Sequence, residues 1–135
     1  MPNQSPQPIT GPTWIDPATG LMWARKDSGS DVSWQQADVT WQQATDYARN
    51  LRLALSSNWR LPTIDELRGI YDPNANVHGY HVKGNMQLSG WQWSSSLGLG
   101  SGAAWNFDFI TGTRYTNLFG FNTFKRALCV RRSGK

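Results

Sequence analysis

The basic side chains of this 135-residue chain are concentrated in its last third. No Asp or Glu follows Asp108, whereas several cations do: Arg114, Lys125, Arg126, Arg131, Arg132 and Lys135. Guanidinium and ammonium groups bind sulfate through charge-assisted hydrogen bonds, and Arg often forms two such bonds in parallel. Together with a net charge of +4, this distribution favours polyanionic partners over cationic ones.

The predicted ligand-binding residues are three of these cations and their polar or aromatic neighbours, all expected in loops or at strand edges. They are Arg114, Tyr115, Asn117, Asn122, Lys125 and Arg126. An exposed aromatic ring in such a segment stacks on a sugar or anchors a protein partner. The simpler alternative for each cation is a solvated surface charge without a ligand.

Three other sets of reactive side chains form no recognisable catalytic or metal-binding pattern. Cys129 is the single Cys, so it is a buried thiol or pairs with another chain. The serines at 94–96 lie outside any G-x-S-x-G elbow. His78 and His81 have H-x-x-H spacing, but a zinc site needs about four well-placed ligands, and the surroundings are typical of a loop. We therefore predict no catalytic residue, no metal and no cofactor.

The elements that position the basic third begin with a hairpin. Residues 1–12 are polar and contain four of the Pro residues, which predicts a disordered linker or tail. Residues 13–15 and 21–24 are predicted to form short strands, because Pro17 and Gly20 between them supply turn chemistry. No apolar run is long enough to span a bilayer, so we expect no membrane insertion.

Two helices are predicted from capping boxes. In a capping box the hydroxyl of a Thr accepts a hydrogen bond from the backbone amide three residues later, and the side chain of that later residue accepts one from the backbone amide of the Thr. The first box pairs Thr40 with Gln43, and the second pairs Thr63 with Glu66. The second helix is expected to end near Tyr71, before Asp72-Pro73. Residues 74–90 have little periodicity and predict a long loop.

The remainder is predicted to be antiparallel strands. They are placed at residues 91–96, 103–109, 114–118 and 127–132, and strict alternation puts Trp105 and Phe107 on the face opposite Asn106. A hairpin, two helices and then several strands indicate an α+β fold, with residues 13–135 as a single domain.

The chain resembles a known family, the Lcl C-terminal domain, which is named after a collagen-like bacterial adhesin. The resemblance runs from about Trp14 to Arg132 and depends on the order and spacing of several short motifs. They are Asp16-Pro17-Ala18-Thr19-Gly20-Leu21-Met22-Trp23, Thr40-Trp41-Gln42-Gln43-Ala44, Trp59-Arg60-Leu61-Pro62-Thr63 with Glu66-Leu67, Trp93-Ser94-Ser95-Ser96, Trp105 with Phe107-Asp108-Phe109, and Cys129-Val130-Arg131.

The resemblance implies a C-type-lectin-like fold, with two helices packed on small twisted antiparallel sheets and with paired N- and C-terminal strands. It also implies an extracellular or cell-surface recognition domain that binds sulfated glycans such as glycosaminoglycans, and a possible homotrimer. The alternative is a protein-binding or trimerisation module of a surface protein, such as a ligand-variable lectin-like domain. Neither reading involves nucleic acid. Formylglycine-generating enzymes are similar in fold but use a pair of cysteines, and this chain has only Cys129, so we expect no enzyme.

Overall fold

The computed structural model describes residues 11–100 and 102–133, so most of the predicted tail at 1–12 lies outside the described residues. The element order is β1 (Thr13–Ile15), β2 (Leu21–Ala24), α1 (Trp34–Ala37), α2 (Trp41–Asn50), α3 (Ile64–Gly69), β3 (Trp91–Leu97), β4 (Ala103–Asp108), β5 (Thr113–Leu118), β6 (Lys125–Arg126) and β7 (Val130–Arg132). Helices and strands in this order confirm the α+β prediction.

The two ends of the described chain meet in a small antiparallel sheet. Its strand order is β1-β2-β7, with Trp14 opposite Trp23 and Trp23 opposite Val130. The predicted hairpin and the predicted pairing of N- and C-terminal strands are therefore both confirmed.

A second sheet holds four strands in the order β5-β4-β3-β6. Its β3-β4 and β4-β5 pairs are antiparallel, but β6 runs parallel to β3. Purely antiparallel sheets were predicted, so this is a correction. The predicted last strand at 127–132 is also too long. Residues 127–129 connect β6 of the second sheet to β7 of the first, and only Val130–Arg132 forms β7.

Both predicted capping boxes are present. In α2 the Thr40 hydroxyl accepts the Gln43 amide, and in α3 the Thr63 hydroxyl accepts the Glu66 amide, each with the reciprocal bond. Arg60 adds two bonds of 2.8 and 2.9 Å to the Glu66 carboxylate. Burial raises the pKa of Glu66, but the bonds from Arg60 and Thr63 outweigh it and the net shift is downward. The single-turn α1 was not predicted.

Two apolar clusters form the core. One contains Trp23, Leu67 and Phe107, and the other contains Trp59 and Trp93. The loop at 74–90 has no helix or long strand, as predicted, yet its apolar residues Val82, Met86 and Leu88 are part of the first cluster. This loop therefore helps to form the core instead of lying over it.

Candidate functional site

The second sheet has two faces, and β5 presents alternate side chains to each of them. Tyr115 and Asn117 lie on one face, and Arg114 and Thr116 lie on the other. All residues of β5 except Asn117 are exposed. Thus the six predicted binding residues do not form one patch, because the strand itself separates Arg114 from Tyr115.

The face that carries Tyr115 is aromatic. The rings of Trp91 and Tyr115 stack with centroids 5.0 Å apart and an interplanar angle of 10°. The Lys125 ammonium lies 4.3 Å from the Trp91 ring centroid and 4.9 Å from that of Phe121. A cation held between two aromatic faces is attracted by both ring quadrupoles. We call these four residues the aromatic face.

Lys125 and Arg126 do lie on an edge strand of the sheet, as predicted, but they are buried, which corrects the prediction that they are open to a ligand. They are 1% and 4% exposed. Both form β6, where Lys125 pairs with Trp91 and Arg126 with Gln92 of β3. Neither side chain is available to a glycan at the surface.

Arg126 is held by a buried polar network. Its guanidinium donates to Asp38 at 2.8 Å and to the Ser89 hydroxyl at 2.9 Å. Ser89 in turn donates from both its amide and its hydroxyl to Asp27, which also accepts from Gln92. This network joins three loops to the second sheet, so Arg126 has a structural role.

Burial also changes the acid–base behaviour of Lys125. Desolvation lowers the pKa of its ammonium to about 8, and the attraction of Asp108 and Asp38 only partly offsets this effect. In the described residues, the Lys125 ammonium donates a hydrogen bond to the Thr123 carbonyl oxygen, at 3.3 Å. Lys125 is thus a buried cation that contacts aromatic rings and forms no direct ion pair with any residue that the structure describes.

The opposite face carries a concave basic surface. A cleft of about 370 Å³ is lined by Arg68, Phe107, Gly112, Thr113 and Arg114. We call it the arginine cleft. Arg68 extends from the last turn of α3, and the Arg114 guanidinium carbon lies 4.8 Å from the Trp105 ring centroid. Both arginines are exposed.

The two arginines of this cleft differ from Arg126 in having no acidic partner in the described part of the chain. Within the described ranges 11–100 and 102–133, neither Arg68 nor Arg114 forms a salt bridge. The nearby Asp108 is buried and accepts bonds from the Ile110 amide and the Thr111 hydroxyl. The cleft therefore offers two guanidinium groups that no described acid neutralises.

Sequence reasoning found Arg114 but missed Arg68. The two residues are far apart in the chain and share a cleft only because α3 packs beside β4. The one local signal is that Arg68 follows the buried Leu67 on a short helix, which places its side chain outward.

The two predicted asparagines are placed differently. The Asn117 side-chain oxygen accepts a 2.8 Å bond from the buried Asn106 amide, so it supports the strand pair. Asn122 is exposed in the loop before β6, where its backbone carbonyl accepts the Lys125 amide. Asn122 therefore lies beside the aromatic face and away from the arginine cleft.

His81 and Cys129 are accounted for by packing, whereas His78 is exposed in its loop. The His81 ring nitrogen Nδ1 lies 2.7 Å from the Ala75 carbonyl oxygen, and its ring meets Tyr71 edge-on. Cys129 is buried, and desolvation raises the pKa of its thiol to about 12. Over the described part of the chain, no three His, Cys, Asp or Glu side chains are grouped so as to hold a metal ion.

A comparison with protein families finds a match over most of the chain. The model of the Lcl C-terminal domain family covers residues 12–131, which is most of the chain. No curated protein matches the chain. Within the residues described, no helix is both long and apolar enough to cross a membrane.

Proposed function

Because the chain belongs to the Lcl C-terminal domain family, we propose that it is a non-enzymatic, C-type-lectin-like recognition domain that binds sulfated, anionic glycans outside the cell or at its surface. The arginine cleft is the proposed site. This moves the site from the segment Arg114–Arg126 to Arg68 and Arg114, which line one cleft.

The observation that supports this proposal is the pair of exposed, unneutralised arginines lining one cleft. A sulfate accepts bonds from guanidinium groups in the fork geometry that Arg presents. Because neither guanidinium has an acidic partner among the described residues, a bound anion displaces no ion pair. At the surface each such contact contributes modestly, on the order of 1 kcal/mol, and weakens with salt.

The cleft is also positioned by rigid parts of the fold. Arg114 lies on a strand paired along its full length with β4, and its guanidinium rests against Trp105. Arg68 lies at the end of a helix whose start is fixed by a capping box. Side chains that are held in place before binding lose less conformational entropy when a ligand binds.

The proposal is tested on a heparin column eluted with a salt gradient, using Arg68→Ala and Arg114→Ala. We expect each variant to elute at lower salt than the unaltered chain. Arg52→Ala is the matched control, because Arg52 is exposed and its loss changes the net charge equally, but it does not line the cleft. Equal retention of all three variants would show that retention reflects net charge alone and would contradict the proposal.

A second candidate function, a protein-binding or trimerisation module, is favoured by a separate observation. Four large apolar side chains of the second sheet and its last loop are exposed: Leu97 and Leu118, which pair with neighbouring residues of β4, and Phe121 and Phe124 in the loop before β6. Exposed apolar side chains that are close together mark interaction surfaces. Solution mass separates the candidates, because a trimer that forms without glycan supports assembly through these residues, whereas a monomer retained on heparin supports the first.

A further inference from the structure

The strand β5 leaves one edge of the second sheet unpaired. It stands at the end of the order β5-β4-β3-β6, and its only described strand partner is β4. The strand is six residues long and contains no Pro and a single charge, Arg114. Natural sheets usually protect such an edge with several charges, a Pro or a bulge, because an exposed edge is a template for another strand.

The pairing pattern identifies the backbone groups that face outward. In an antiparallel pair, the residues that bond to the neighbouring strand alternate with residues whose N–H and C=O groups point away from it. Just beyond β5, the Phe119 amide donates to the Gly102 carbonyl, which continues the ladder with β4. By alternation, Tyr115 and Asn117 also bond inward, and Arg114 and Thr116 present their N–H and C=O groups outward.

The side chains flanking this edge define the chemistry of what could pair with it. Arg114 lies on one face and has no salt bridge within the residues described. On the other face Tyr115 is stacked on Trp91 and is 38% exposed, which provides an apolar contact. An added strand would therefore meet a cation on one face and an aromatic ring on the other.

We propose that β5 is a docking edge for an extended segment of a partner protein, which pairs with Arg114 and Thr116 and places an Asp or Glu beside Arg114. The sheet then gains a strand beyond its four. Main-chain bonds supply the affinity of such strand addition, and side-chain contacts supply its selectivity. The partner strand needs an acidic residue on the face of Arg114 and apolar residues on the face of Tyr115. Since successive side chains of a strand point to opposite faces, polar and apolar residues must alternate along the partner segment.

Charge decides between this partner and a second copy of the chain. A copy that paired through its own β5 would bring a second Arg114 and no acid, since residues 109–135 contain no Asp or Glu. Like charges brought together at a sheet edge are unfavourable. An acidic segment neutralises Arg114, whereas a second β5 does not.

The probe is a synthetic peptide, Thr-Val-Glu-Val-Thr-Val, which has the length of β5 and alternates polar with apolar side chains. It is titrated into the isotope-labelled chain while backbone amide signals are recorded. We expect saturable shifts confined mainly to residues 113–118 and their β4 neighbours. A peptide with Lys in place of Glu, and one in which alternate amides are N-methylated, should each bind at least about tenfold more weakly.

A matched pair of protein variants tests the pairing itself. Thr116→Pro removes an N–H that points away from β4 by the alternation of the ladder, and Pro is tolerated at such edge positions. Thr116→Val retains the N–H. We expect about a tenfold loss of peptide affinity for Thr116→Pro and little change for Thr116→Val. If Thr116→Pro disturbs the fold, the N-methylated peptide provides the same comparison on the unaltered protein.

The docking edge would be overturned if the Glu peptide showed no saturable binding, or if its N-methylated form bound equally well. It would also be overturned if the amide signals of β5 shifted with the concentration of the chain and not with added peptide, because the occupant would then be a second copy of the chain. Glycan binding fails or succeeds separately, because Arg68→Ala is expected to reduce heparin retention and leave peptide affinity unchanged, whereas Thr116→Pro is expected to do the reverse.

Discussion

The arginine cleft and β6 both present cations next to aromatic rings, yet their cations have opposite environments. Arg126 and Lys125 of β6 are buried, and protein groups surround them. Arg68 and Arg114 of the cleft are exposed and lack a described acid partner. A buried cation must find its compensation within the fold, whereas an exposed one is free to bind an external anion. The comparison separates structural cations from candidate ligand-binding ones.

The largest expected effect is on stability at β6. Arg126→Ala removes the ion pair with Asp38, the bond to Ser89 and the packing of a buried side chain, although Asp38 keeps the Phe124 amide and the Ser89 hydroxyl keeps Asp27. We expect the free energy of unfolding to fall by about 3 kcal/mol, measured by urea denaturation. Arg114→Ala is the control and should change it by less than about 0.5 kcal/mol. Equal losses in the two variants would remove the distinction drawn between them.

The next effect concerns pH and Lys125. Its pKa is about 8 in the fold and near 10.4 when unfolded, so between these values the unfolded chain binds more protons. Stability contributed by this group therefore rises with pH across that window. The Lys125→Met variant should lack the rise, and the difference between the two stability profiles should reach about 1–3 kcal/mol. Parallel profiles would show that Lys125 titrates normally.

A smaller effect is expected from the ring under Lys125. Phe121→Leu keeps an apolar side chain but removes one of the two aromatic faces near the ammonium. Phe121 is itself 45% exposed, so we expect a loss of about 0.5–1 kcal/mol at pH 7. The loss should shrink above pH 9, when Lys125 is neutral. A loss independent of pH would assign the contact to packing and not to charge.

The elements that were predicted correctly are specified locally. The capping boxes at Thr40 and Thr63 need only residues three positions apart, and the hairpin needs only its turn. The burial of Arg126 could not be predicted in this way, because its partner Asp38 lies 88 positions earlier in the chain. The parallel pairing of β6 with β3 is likewise set by tertiary packing.

The candidate site was predicted in part for the same reason. Arg114 was predicted to lie in a loop or at a strand edge, and it does lie on the edge strand β5. This position could be predicted because the turn at Gly112, just before β5, is visible in the sequence. Arg68 lies on another element, and its approach to Arg114 depends on how α3 packs against the sheet. Lys125 and Arg126 resemble surface residues in sequence, since nothing near them indicates that Trp91 and Asp38 enclose them.

The measurement that tests the account most directly is titration of a short heparin oligosaccharide into the Arg68→Ala/Arg114→Ala double variant, with the unfolding free energy recorded on the same preparation. We expect affinity to fall by about tenfold or more, the equivalent of on the order of 1 kcal/mol per arginine, while stability stays within about 0.5 kcal/mol of the unaltered chain. Unchanged affinity with unchanged stability would contradict the assignment of the arginine cleft as the anion-binding site.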